Sequence, residues 1–480
     1  MPQANDTLVR VNVPHIATKK LRFRKNGDRR ILTISSNFLS MFGFEKGDAV
    51  IETSLGNSQG IEISRVQDTL DVVGRIKRVY ARRYPRRRNN PLEHQVEVSS
   101  QKLLDEAFPA DCTHVHVQFQ QNRLRVTPIY STKQRALSNA ERADPDSVFA
   151  ALTSGVDLSS MRSEGFSVSA VLEWRPPEAR DKSDLSETGM VAALANSGPL
   201  IAAFNEDVTS CAIDRIALAL EKTPPMVFHA SPQCDDHSPL KSKADKAQAL
   251  EDTSSTSDMM IDLLNIIEKV SPPVVVLENV PGFVSSPAYE IASLRLRRWG
   301  YKRFEHVGDA RDHGGLTSRR RAYVVFTALD APFAFEDPSS PRAKDIWSIV
   351  EPYLADCRDV SHSKSIQDGK QCGRLRRITE ASTSAPTPIK SQGRMAKDSL
   401  VIERSDGALL FPTEDLLKRL LGLQDVDLSA VSATIATEII GQSIDRPHHE
   451  MVLRSVRKHI EAWKASFAKA FSCSEASVPA

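Results

Sequence analysis

The sequence predicts an α/β fold: an open, mostly parallel sheet with helices, preceded by a small, mainly-β domain. Three observations predict it. Residues 1–145 carry 24 Lys+Arg against 15 Asp+Glu, and the remainder 39 against 46, although the whole 480-residue chain nets only +2. In residues 1–130 apolar and polar side chains alternate with period two, as in half-buried strands. After residue 146 short continuous apolar runs alternate with amphipathic segments, the pattern of strands covered on both faces.

The N-terminal region reads as a weak internal repeat. Residues 31–66 and 94–129 both start with an alternating strand, through Ile34 or Val98, that runs into Ser-Ser. A short helical turn follows and ends at Phe44 or Phe108. Two more alternating strands come next, around Val50–Ile51 and Ile61–Ile63, or Val115–Val117 and Leu124–Val126. The first copy resembles the swapped-hairpin, AbrB-like DNA-binding fold, and two such halves in one chain would form one barrel. Between the copies, residues 75–88 hold eight basic residues with Tyr80 and Tyr84 interleaved. Guanidinium groups suit phosphates and tyrosine rings can stack on bases. Residues 131–146 are polar and read as a linker.

In the α/β body, Met226–Ala230, Val274–Leu277 and Ala322–Phe326 read as buried parallel strands. Met260, Leu263, Leu264, Ile267 and Val270 mark one helical face. Composition narrows the class further. Hydrophobic residues make up 40% and charged residues 26%, ordinary for a globular protein. No apolar run approaches the ~18 residues that span a bilayer. The start, MPQANDTLVR, lacks a secretory apolar stretch. The six cysteines show no CxxC pair, so they read as reduced thiols, with neither a disulfide framework nor a metal site expected and a cytoplasmic location implied.

Open α/β sheets bind ligands beyond the carboxyl ends of their strands, so polar residues there carry the chemistry. One strand runs into Glu278-Asn279-Val280-Pro281-Gly282, and another into Ser231-Pro232-Gln233-Cys234-Asp235-Asp236-His237-Ser238. These place an acid and a thiol at the same edge. In this order and spacing, they resemble the DNA (cytosine-5)-methyltransferases, whose nucleophile loop usually reads Pro-Cys-Gln and whose acid lies in Glu-Asn-Val. Other segments follow in the family's order. Residues 147–158, with Phe149, Gly155 and Asp157, resemble the first cofactor loop. Glu173-Trp174 resembles the ribose-holding acid and its stacking neighbour, and Asn205-Glu206-Asp207-Val208 the acidic turn that reaches adenine. Residues 313–321 resemble the arginine loop, with Arg319 and Arg321 on its two arginines. Residues 409–412 and 418–424 resemble the segment closing the target-recognition region. Ile440-Gly441-Gln442-Ser443-Ile444 resembles the terminal Gly-Asn-Ser-Val loop, followed by a helix bearing Val452, Val456, Ile460, Trp463 and Phe467.

The resemblance spans about residues 146–465. It implies a Rossmann-like, S-adenosylmethionine-dependent methyltransferase domain. The catalytic core would be 147–327, a reduced target-recognition region 328–405, the closing part 406–470 and a tail 471–480. It implies Cys234 as nucleophile, Glu278 as the acid at the base, and Arg319 and Arg321 as base-, phosphate- or Glu278-holding groups. Phe149, Gly155, Glu173, Trp174, Asp207 and Ser443 would contact S-adenosylmethionine. Double-stranded DNA is the implied partner, with a cognate restriction enzyme a further candidate partner and no membrane involved. In the short target-recognition region, Lys370, Arg374, Arg376 and Arg377 suit phosphates better than base edges, so the basic N-terminal domain is expected to supply part of the DNA grip.

Departures from the family pattern keep other readings open. Gln233 replaces the usual proline, Asp235 the usual glutamine and Thr317 the arginine-loop glutamine, and the first loop keeps only part of its glycines. A Cβ there crowds the cofactor's approach to backbone, and an acid beside the thiol disfavours the thiolate. A methyltransferase-derived DNA-binding regulator and an RNA cytosine-5 methyltransferase are the two alternatives.

Overall fold

The structure is a computed structural model. It describes residues 12–27, 29–66, 76–86, 92–178, 180–234, 237, 258–338 and 345–475, with side chains through 466. Arg75, Arg87, Arg88, Asp235 and the side chain of Phe467 lie outside the described residues. The chain divides into two compact units, Met1–Ser131 and Thr132–Ala480.

Among the described residues the first unit has ten strands: β1 (Ala17–Arg22), β2 (Arg24–Asn26), β3 (Arg29–Ser35), β4 (Ala49–Ser54), β5 (Ile61–Val66), β6 (Ile76–Arg78), β7 (Tyr80–Arg83), β8 (Leu92–Val98), β9 (His114–Gln120) and β10 (Arg123–Ile129). Helices Phe38–Met41 and Gln101–Ala107 occupy matching places after β3 and β8. The strands form two sheets, ordered β1-β9-β10-β5-β4-β6 and β2-β3-β8-β7. Both orders read as a two-fold. β1 of the first half pairs with β9 of the second, and β6 of the second half pairs with β4 of the first. β3 pairs with β8 (Leu32↔Val98, Ile34↔Val96) and β5 with β10 (Ile63↔Leu124, Ile61↔Val126), so the inward faces of both halves fill one core.

The duplicated unit is thus longer than the sequence pattern suggests. Residues 76–83 do not separate the copies. They open the second copy, as residues 17–26 open the first, with buried Phe23 and Val79 at equivalent joints. The opening strands are short and basic, so periodicity alone reads them as a charged loop. The charges stay outward: Lys20, Arg22, Arg24, Lys25, Arg78, Arg82, Arg83 and Arg86 are all exposed.

The second unit is built on β11 (Ser147–Ala151), β12 (Ser167–Leu172), β13 (Ala202–Phe204), β14 (Val227–Ala230), β15 (Val274–Asn279), β16 (Lys302–Asp309) and β17 (Arg320–Thr327), ordered β13-β12-β11-β14-β15-β17-β16. The first five are parallel. β17 is antiparallel to β15, which corrects the expectation that Ala322–Phe326 is a parallel strand. A strand buried on both faces has the same apolar pattern in either direction. Along β11, Phe149 and Ala151 enter one core, with helices Ile213–Leu220, Met259–Val270 and Pro287–Arg298. Val148 and Ala150 enter the other, with helix Asp157–Ser163 and the last helix, Arg446–Glu475. Val452, Val456, Ile460 and Trp463 are that helix's buried face.

Residues 131–146 are not a polar linker. Thr132–Arg142 is a helix with Thr132, Ala136 and Ala140 buried. Arg135 donates to Ser271 Oγ and the Glu268 carbonyl, and Asn139 to the Val270 and Ser271 carbonyls. Its polar residues thus satisfy the open C-terminus of helix Met259–Val270. A smaller sheet joins β18 (Arg358–Asp359), β21 (Leu409–Phe411), β20 (Leu400–Glu403) and β19 (Arg376–Ile378) in that order. The 405/406 division expected from sequence therefore cuts a hairpin, β20–β21. The last helix likewise runs past residue 470, where a tail was expected. No helix among the described residues is long and apolar enough to cross a membrane.

Candidate active site

The order in which strands are added reverses between β11 and β14: β12 and β13 lie to one side, β15 to the other. Such a switch point opens a crevice at the carboxyl ends of the strands. The loops after β11, β12, β13, β14 and β15 all emerge there. Because β17 is antiparallel, its beginning lies at that same edge, opposite Glu278 and Asn279 of β15 (Glu278↔Tyr323, Asn279↔Ala322). This register brings Arg321 to the acid.

One cleft gathers seven of the sequence-predicted residues: Cys234, Glu278, Arg321, Glu173, Trp174, Asp207 and Ser443. Cys234 is half-buried on the loop leaving β14. That loop is tethered: Ser231 N donates to the Ala151 carbonyl, and Asn279 Nδ2 to the Pro232 carbonyl at 3.0 Å. Glu278 is buried, and burial raises its carboxyl above the usual range against the opposing pull of Arg321 and Arg319. Arg321 Nε lies 2.6 Å from Glu278 Oε1 in a buried ion pair. Arg321 also donates to the Ser443 carbonyl, tying the terminal loop to the acid.

At the other end of the cleft, Glu173 Oε1 accepts from the backbone N and the Oγ1 of Thr153, at 2.6 and 2.7 Å. Burial pushes the Glu173 carboxyl up to about 7. The loop after β11 turns through Leu152 (φ 60°), Ser154 (φ 49°) and Gly155 (φ 78°). It thus keeps left-handed positions where only one residue is glycine, at a cost of about 1 kcal/mol for each side chain held there.

Three predicted residues lie elsewhere. Phe149 is fully buried in the sheet, packed edge-on against Phe228 (5.1 Å) and Phe204 (6.2 Å), and is not among the residues lining the cleft. Gly155 does not line it either. Its role is close approach: a Cβ there would sit 2.6 Å from the backbone of Ala193. Arg319 is buried behind the cleft, donating to the Pro388 and Gly441 carbonyls, and burial with the neighbouring Arg321 lowers it to about 9. Cys234 is among the charges acting on it. Arg319 therefore locks loops near the thiol while its positive charge suits a thiolate.

Sequence reasoning missed the group behind the cleft. Asp157, quoted only as part of a loop motif, is fully buried, lines the cleft and accepts from Ser231 Oγ at 2.7 Å. Burial, and then the charge of Glu278, push its carboxyl well up. His229 Nε2 meets His449 Nε2 at 3.0 Å, and His449 Nδ1 meets Ser160 Oγ at 2.6 Å. Lys390, Glu178, Arg175 and Glu438 form a charged rim, with Lys390 on Glu178 at 3.1 Å. These partners are remote in sequence, so no local spacing announces them. Around the smaller sheet, Lys370 and Arg377 pair with Glu403 at 2.8 and 2.7 Å, and Arg374 with Asp398 at 3.7 Å.

The donor set fits the expected methyl donor: a buried carboxylate and an indole after β12 and a second carboxylate after β13 suit a ribose and an adenine. Residues 203–409 match the family described as C-5 cytosine-specific DNA methylase. That stretch includes Asp207, Cys234, Glu278, Arg319 and Arg321, while Glu173, Trp174 and Ser443 fall outside it. The type II methyltransferase M.MspI of Moraxella sp is 26% identical over 197 residues, 39% of this chain and 47% of that protein. The match thus spans about half the length of that curated relative. The structure of the S. pombe Dnmt2 methyltransferase is similar with a TM-score of 0.51 and 16% identity, covering 66% of this chain and 98% of that one. That of the Entamoeba histolytica methyltransferase EhMeth has a TM-score of 0.48 and 16% identity, covering 65% and 98%. The second unit, with its open and mostly parallel sheet, shares the α/β fold of that S. pombe methyltransferase.

Proposed function

We propose that this protein is a cytosine-5 methyltransferase that takes S-adenosylmethionine as methyl donor and duplex DNA as substrate. The observation that carries the reading is one cleft at the switch point holding Cys234, Glu278 and the Arg321 partner of that acid. Glu173, Trp174, Asp207 and Ser443 would hold S-adenosylmethionine, which supplies an electrophilic methyl group.

Cytosine carbon 5 is a poor nucleophile, and the chain's own residues correct that. Cys234 Sγ adds as thiolate to carbon 6, and the displaced electron pair makes carbon 5 enamine-like. The ring then becomes more basic at nitrogen 3. Glu278, whose carboxyl burial holds above the usual range, donates a proton or hydrogen bond to that nitrogen. Arg321 keeps Glu278 in place and partly offsets the cost of burying its charge. Carbon 5 would then take the electrophilic methyl group, whose carrier would leave as a neutral thioether. A base takes the carbon 5 proton, and Cys234 leaves as thiolate. The reacting base must stand outside the stack, at a cost of a few kcal/mol that pocket contacts offset. The basic openings of both halves of the first unit supply phosphate contacts.

The test is incubation with labelled S-adenosylmethionine and either duplex DNA or tRNA, with wild type and Cys234→Ser side by side. Label is expected in duplex DNA and lost in the variant. Label in tRNA alone would move the substrate to RNA, and DNA binding without any transfer would make the protein a regulator. Bisulfite sequencing of DNA from expressing cells would then report product position and sequence context.

A further inference from the structure

Three histidines take no part in the reaction proposed above. His306 lies on edge strand β16, His313 ends the short turn Ala310–His313 of the arginine loop, and His448 lies in the first turn of the last helix. Their ligating nitrogens lie within 4.8 Å of one another. His306 Nε2 and His448 Nε2 are 3.0 Å apart. The His313 and His448 rings stack at 4.6 Å and 8°, and His306 meets both edge-on, at 5.3 and 5.1 Å. His448 is fully buried.

Two features of this cluster point to a ligand. First, His313 Nε2 is buried and makes no hydrogen bond. Orphaned polar atoms are uncommon in a folded interior. Second, Gly308 stands beside the paired nitrogens. A Cβ there would lie 2.5 Å from His306 Nε2 and 3.0 Å from His448 Nε2, so glycine alone keeps that space clear.

We propose that His306, His313 and His448 form a three-imidazole site for a divalent transition metal of the zinc type. Bonds of 2.0–2.1 Å at tetrahedral angles place two ligating nitrogens roughly 3.3 Å apart, so the 3.0 Å pair needs to open by only a few tenths of an ångström. Three imidazoles without thiolate suit zinc, cobalt, nickel or copper over calcium or magnesium. The bound ion would clamp an edge strand, the arginine loop and the last helix together. Arg319 and Arg321 follow His313, and Ser443 precedes His448, so the clamp would fix both segments that hold Glu278.

The full chain, stripped with chelator, is titrated with cobalt(II) and followed by visible absorption, and then with zinc(II) in competition. One equivalent per chain is expected, with the absorption of nitrogen-ligated tetrahedral cobalt, and zinc should displace it. His313→Gln, on a half-buried turn, should weaken binding at least tenfold, as should His306→Asn with His313→Gln. Zinc should raise the wild-type Tm by several degrees and leave that of the double variant unchanged. Absence of a saturable cobalt spectrum in wild type overturns the proposal, whether or not the variants fold. An unchanged spectrum in a folded double variant also overturns it, by moving the ion elsewhere, for instance to Asp157, His229 and His449. None of these readouts depends on methyl transfer.

Discussion

Cys234 and Glu278 end adjacent parallel strands, β14 and β15, and the Asn279–Pro232 hydrogen bond ties their loops. Glu278→Gln keeps the shape but supplies neither a proton nor a charge for Arg321. It is expected to lower kcat by about 10²- to 10³-fold, the usual range for a lost general acid. Affinity for the methyl donor should hardly change, because Glu173 and Trp174 lie on other loops. Steady-state kinetics with labelled donor check the split. These residues were readable because Glu278 follows an apolar run directly and Cys234 lies four residues beyond another. Arg319 misled for a related reason: its motif position is that of an arginine at the edge, but its guanidinium ends on the Pro388 and Gly441 carbonyls. Only the three-dimensional path of those remote loops decides this.

At the scale of elements, the loop after β11 and the buried histidines set the limits. Gly155 combines φ 78° with a 2.6 Å approach to the Ala193 backbone. Gly155→Ala is therefore expected to destabilise the second unit by about 2 kcal/mol or more, from left-handed strain of about 1–2 kcal/mol plus the clash. Urea denaturation measures this. His229 is fully buried, and burial lowers it to about 3. Unfolded, it titrates near about 6.5. Between those values the unfolded chain binds the extra proton, so stability falls as pH drops from about 6.5 toward 3. His229→Asn should flatten the stability slope between pH 6 and 4 by up to about 1.4 kcal/mol per pH unit. Denaturation curves across that range test it. Strand existence was legible from apolar runs, whereas the antiparallel sense of β17 was not, because side-chain pattern carries no direction. The helix at 132–142 was missed because its polar residues bond the end of another helix.

For the molecule as a whole, the charge asymmetry becomes a duplicated unit with a basic opening in each half. Arg82, Arg83 and Arg86 belong to the second opening and are exposed. Replacing all three with alanine is expected to weaken DNA binding and to reduce the slope of log K against log salt by about 2–3, at roughly 0.9 per phosphate contact. Fluorescence anisotropy over a salt series measures it. An unchanged slope would remove the first unit from the DNA grip.

Local sequence was enough for the α/β class, the two-part organisation, and the positions of Cys234, Glu278, Glu173 and Asp207 after strands. Each of these is written locally, in an apolar run and the polar residues that follow it. Tertiary structure alone decided the exchange of β1 and β6 between halves, the direction of β17, the burial of Phe149 and Arg319, and the histidine groups behind the cleft. These depend on which distant segments meet, and hydrophobic periodicity records only whether a face is buried, not against what.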